Sequence, residues 1–190
     1  LIAVGSIAMI ALHNLLDRFQ VTGWQGPGSP VPNIGEKLWM LAHQGFSVFP
    51  LAGFPSPIVI VIYPLIPWVG VMAVGYAFGA LYQMDAQRRR RWLLWGGVTA
   101  TWLFILIRAV DLYGDPAHWS RQKNVVFTVL SFVNTTKYPP SLQFLLMTLG
   151  PALLVLWWFD SNGGRAAVGS LGTRLRAALV TFGRVPLFFY

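Results

Sequence analysis

Cysteine is missing from all 190 residues, which removes disulfides, thiolate zinc sites and a cysteine nucleophile from the chemistry. Charge is scarce too: 11% of residues are Asp, Glu, Lys or Arg, and the six acids are outnumbered by 14 bases. Between Lys37 and Asp85 there is no formally charged side chain. No phosphate-cradling glycine loop, zinc motif or serine-hydrolase elbow occurs, and no internal repeat or low-complexity tract is visible.

What remains is apolar. The hydrophobic fraction is 55% and the mean hydropathy is +0.57, more than a soluble domain of this length carries. Hydrocarbon excludes charge and unpaired backbone, so a helix that crosses it needs about 20 apolar residues. The spacing predicts membrane helices over about 1–17, 58–84, 92–113 and 138–159, with a further one starting at 184–190. Shorter interfacial or re-entrant helices are expected over about 34–44, 121–136 and 173–182. The fold class is therefore all-α, a polytopic transmembrane helix bundle in one domain. Leu1 already lies inside one apolar helix and Tyr190 inside another, so the chain is expected to be an internal piece of a larger polytopic protein.

Arginine sets the orientation, because Lys and Arg are retained on the cytoplasmic side of short loops. Arg88, Arg89, Arg90 and Arg91 form the cytoplasmic anchor, joined by Arg165, Arg174, Arg176 and Arg184. Helix 58–84 then enters from outside, 92–113 returns outside and 138–159 comes back in. The formal net charge of +8 is mostly positive-inside arginine with anionic lipid headgroups as its partner, and nucleic acid is not required.

Ionisable groups at membrane depth are costly, so each is read first for function. His13, Asn14 and Asp17 share one helix face at the outer end of the first helix; they form a base or substrate-binding cluster, or mark a helix turning polar as it leaves the bilayer. Arg108 stands about 25 Å along its helix from Arg91 and either snorkels to pair with Asp111 or holds an anion. Asn134, Lys137 and Tyr138 precede Pro139 and Pro140 at a helix start, where a lysine needs a nearby anion against the helix dipole. His43 and His118 read as surface or interface histidines, and the nine tryptophans as interfacial belts. Two functions are open on the residues alone: a small-anion transporter, with Arg108 and Lys137 as binding groups, and a non-catalytic membrane subunit.

The segments AMIALHNLLD, YPLIPWVGVMAVGYAFG, TKYPPSLQFLLMTLGPALL and FGRVPLFFY, taken in order, resemble the bacterial membrane proteins grouped with heparan-alpha-glucosaminide N-acetyltransferase, long carried as a domain of unknown function. The resemblance covers nearly the whole chain. It implies a multi-pass protein of the bacterial cytoplasmic membrane that moves an acetyl group from cytosolic acetyl-CoA, as co-substrate and without a metal, to an amino sugar or glycan acceptor across the membrane. A homo-oligomer is compatible with it. The family's catalytic Asn and His belong to a helix upstream of Leu1 and have no counterpart here, so the catalytic residues are unknown and His13 does not inherit their role. The polar residues His13, Asn14, Asp17, Arg108, Asp111, Lys137 and Tyr138 are then supporting groups of an outer vestibule, or structural ties.

Overall fold

The computed structural model describes residues 1–161 and Thr181. The expected helix at 184–190, the one at 173–182 apart from Thr181, and the arginines at 165, 174, 176 and 184 lie outside the described residues.

Six helices account for most of the described chain: α1 (Ile2–Leu12), α2 (Ile34–Ala42), α3 (Leu65–Phe78), α4 (Ala86–Val110), α5 (Val125–Val133) and α6 (Leu142–Asp160). A 3-10 turn, His13–Leu16, extends α1, and another, Gly79–Gln83, extends α3. Three helical stretches are long and apolar enough to cross a membrane: Leu65–Gln83, Ala86–Val110 and Leu142–Asp160. Ile2–Leu16 is a shorter apolar helix.

Short polar side chains start these helices by taking up free backbone N–H groups. Asp85 accepts from Arg88 N, Asn124 from Phe127 N and Ser141 from Phe144 N. At α2, Asn33 and Glu36 cap one another's backbone in a reciprocal box.

Two helix pairs form the body, α4 antiparallel to α6, and α1 against α3. Glycine sets how closely they approach. A Cβ on Gly150 would stand 2.6 Å from Thr101 Oγ1 and 2.8 Å from Thr101 N, and one on Gly97 would meet Leu154 at 2.8 Å. Close backbone approach of this kind substitutes for the hydrophobic driving force that lipid does not supply. At the arginine end of the pair, Arg89 donates to both oxygens of Asp160, at 3.1 and 2.8 Å, and Arg90 adds a contact of 3.4 Å.

The apolar run from Ile58 does not begin as a helix. Ile58–Val61 is a strand, β2, paired antiparallel with β1 (Ser47–Pro50), and the helix starts only at Leu65 after Pro64. Four consecutive β-branched residues suit a pleated strand, and Pro64 is the N-cap. This hairpin and α2 enclose a small core of Met40, Phe49 and Val61, flanked by Val21 and Trp24. Gln44 fastens the incoming chain to it: its side chain accepts from Val21 N and donates to Val21 O. The helix expected from 121 is confined to Val125–Val133, and the one expected from 138 begins at Leu142.

Candidate functional site

Opposite the arginine end of α4 and α6, the end of α1, the end of α2 and the turn before α6 converge. Asn14 is the splice. Its Oδ1 accepts from Leu142 N at 2.9 Å while its Nδ2 donates to Asp17 Oδ2 at 2.7 Å. The other oxygen of Asp17 accepts from His43 Nε2 at 2.9 Å. Because a carboxylate only accepts, His43 carries its proton on Nε2, and in the neutral ring Nδ1 holds a lone pair. His43 is 2% exposed, and its buried Nδ1 has no hydrogen-bond partner.

A cavity of about 220 Å³ opens beside this pair, bordered by Asp17, Gln20, His43, Gln44, Thr136 and Tyr138. Gly45 shapes one wall. A Cβ there would stand 3.2 Å from Pro139 N and from the Tyr138 carbonyl carbon, so a side chain at 45 would crowd the turn after His43 against Tyr138–Pro139. Tyr63 and Tyr138 meet through their hydroxyls at 3.2 Å, and Lys137 Nζ lies 5.1 Å from the Tyr138 ring centre. The Tyr63 hydrogen bond, followed by Lys137, holds the Tyr138 phenol below its ordinary range. A larger hollow of about 610 Å³ beside α5 is open and has no ionisable residue in its lining.

His13 is buried in the same region, yet it is a tie. Its Nδ1 lies 2.8 Å from Ile10 O and its Nε2 3.0 Å from Pro140 O, so both ring nitrogens face carbonyl oxygens. Its ring stands edge-on to that of His43, 5.9 Å between centres.

Arg108 does not snorkel. It is fully buried, and its guanidinium is spent on backbone: Nε to Phe132 O at 2.8 Å, Nη1 to Ala117 O at 2.8 Å, and Nη2 to Ser131 O and Asn134 O at 3.3 and 2.8 Å. Asp111 Oδ1 lies 3.6 Å from Nη1. The side chain closes the C-terminal carbonyls of α5, which a cation near the negative end of a helix does well. Asn134 thus serves through its backbone. Asp111 caps α4 in the left-handed conformation, φ 55°, and pairs with His118 at 3.1 Å.

Two residues decide this end of the molecule that sequence reasoning did not single out. His43 read as a surface or interface histidine, and the structure buries it as the partner of Asp17. Asp115 accepts four hydrogen bonds, from Ala117 N, Thr136 N, Thr136 Oγ1 and Ser141 Oγ, and so pins the 134–141 turn that walls the cavity. A hint was present in both cases: an acid and a histidine in loops of a chain nearly devoid of charge.

Among the described residues no group of three or more His, Cys, Asp or Glu could hold a metal ion. Residues 36–113 match the model of a family described as heparan-alpha-glucosaminide N-acetyltransferase, catalytic. That segment contains His43, the four arginines, Arg108 and Asp111, while Asp17 and Tyr138 fall outside it. No curated protein and no solved structure matches the chain.

Proposed function

We propose that this heparan-alpha-glucosaminide N-acetyltransferase-like membrane protein transfers an acetyl group from cytosolic acetyl-CoA to an amino sugar or glycan acceptor, and that the acceptor binds in the Asp17–His43 cavity on the outer side of the bacterial cytoplasmic membrane. The observation that carries the reading is the buried imidazole, bordering a polar cavity, with one nitrogen held by a carboxylate and the other without a partner.

Acetyl transfer asks for what such a pair supplies. The acceptor nitrogen or hydroxyl oxygen attacks the thioester carbonyl carbon; the bond to the acceptor forms and the carbon–sulfur bond breaks. The acceptor's proton goes to His43 Nδ1 and from there to the leaving thiolate, so atoms and charge balance. Asp17 keeps the ring in the tautomer that leaves Nδ1 basic and stabilises the imidazolium that forms. In this structure Nδ1 is enclosed, so the acceptor reaches it only after the surrounding side chains move. Gln20, Gln44 and Tyr138 offer neutral donors and acceptors to hydroxyl groups, which suits a sugar ring better than an apolar acceptor.

The anion-transporter reading loses its central residue, because every nitrogen of the Arg108 guanidinium is engaged by carbonyls or Asp111. The test is acceptor-dependent release of free CoA by the full-length protein in liposomes, with amino sugars and hydroxylated glycans outside. Counterflow without acetylation would restore the transporter, and acetyl-CoA binding without release on any acceptor would favour the non-catalytic subunit.

A further inference from the structure

The four arginines at the start of α4 are not equivalent. Arg89 and Arg90 are committed to Asp160 at the end of α6. Arg88 reaches only the exposed Asp85, at 3.6 Å, and Arg91 has no hydrogen-bond or ion-pair partner among the described residues. These last two border a cavity of about 430 Å³ together with Met84, Trp92 and Trp95. On a helix, positions 88, 91, 92 and 95 fall on one face, opposite the buried face of Leu93, Gly97 and Phe104, where Gly97 meets α6. Both indoles are exposed, at 62% and 61%.

The geometry points to a binding groove for the phosphorylated nucleotide end of the acyl donor, with Arg88 and Arg91 on the phosphates and Trp92 or Trp95 stacked on the base. Charge complementarity argues for this occupant. Two guanidiniums held apart from any strong internal carboxylate present forked donors suited to phosphate oxygens. Indole faces beside them suit a flat heterocycle, which stacks on any aromatic platform and gains further from the neighbouring arginine. Interfacial anchoring accounts for arginine and tryptophan at this depth. What anchoring alone does not call for is the recess of about 430 Å³ that Arg88 and Arg91 share with the two indoles. The inference rests on the acetyltransferase reading for the identity of the donor, and on the arginines facing the cytoplasm.

The experiment is CoA binding, followed by tryptophan fluorescence and calorimetry on the full-length protein in phosphatidylcholine nanodiscs, with adenosine 3′,5′-bisphosphate as a competitor that lacks the pantetheine arm. Wild-type protein should bind CoA, and the bisphosphate should displace it. The double variant Arg88→Gln/Arg91→Gln should weaken binding by about 10-fold or more, given the strength of charge-assisted hydrogen bonds, with helix content unchanged. Trp92→Leu/Trp95→Leu should weaken it and remove most of the fluorescence response. Equal affinity in the arginine double variant and the wild type overturns the proposal. So does displacement of the groove's response by phosphatidylglycerol but not by the bisphosphate, which makes the groove a lipid-headgroup site. The two readings fail separately. Acetyl transfer with an unchanged KM for acetyl-CoA in Arg88→Gln/Arg91→Gln removes the groove and keeps the enzyme; arginine-dependent CoA binding without transfer on any acceptor does the reverse.

Discussion

His43 Nε2 donates to Asp17 Oδ1 across 2.9 Å, joining residues 26 positions apart at the point where α1, α2 and the turn before α6 meet. The same carboxylate accepts from Asn14, which in turn holds Leu142 N, so His43 is fixed to the start of α6 through two side chains, Asp17 and Asn14. Functional groups held this way act without reorganising.

Asp17→Asn keeps the shape of the site and removes the charge that orients His43. The expected result is a fall in kcat of about 10²-fold or more, the scale of a misplaced general base. CoA-release kinetics check it, with the melting temperature as the folding control.

Arg108→Met should cost about 3 kcal/mol or more, because removing one partner of a buried charged network strands the rest. Four carbonyls and Asp111 would lose their donor. Thermal unfolding in detergent measures the loss, and Arg108→Lys should recover only part of it, since an ammonium cannot span the fork.

Gly150→Ala should destabilise by about 1–3 kcal/mol through overpacking against Thr101. Gly75→Ala, where an added Cβ meets nothing within 4 Å, is the control and should be neutral or better. Parallel melting curves of the two variants decide the point.

Tyr113 donates to Ala11 O at 2.6 Å, and burial raises its phenol above the ordinary value, with the Asp17 charge adding to the effect. A raised folded-state value gives stability that is fully present below the unfolded value of about 10 and is lost as pH rises through the folded one. Stability should therefore fall above about pH 10, and Tyr113→Phe should flatten that fall while lowering the plateau below it. Urea or thermal titrations at alkaline pH check both.

The long apolar helices were legible as runs, but their starts were not: the span expected from 92 begins at Ala86, where Asp85 caps it through Arg88 N. The strand Ile58–Val61 was not legible either, because a short β-branched run reads equally well as the first turns of a helix until its partner β1 is known. The candidate site was half legible. His13, Asn14 and Asp17 drew attention because helical spacing places them on one face, whereas His43 depends on a contact across 26 residues that periodicity cannot report. Arg108 was flagged from the cost of charge in hydrocarbon, but its partners are backbone carbonyls of α5, which no sequence pattern announces.

The most direct test of the account compares wild type and His43→Gln in acceptor-dependent CoA release by the full-length protein in liposomes. The account predicts release only with an amino sugar or glycan on the outer side, and a loss of about 10²- to 10⁴-fold in kcat for His43→Gln with acetyl-CoA affinity unchanged. Transfer by a folded His43→Gln protein at the wild-type rate would contradict it.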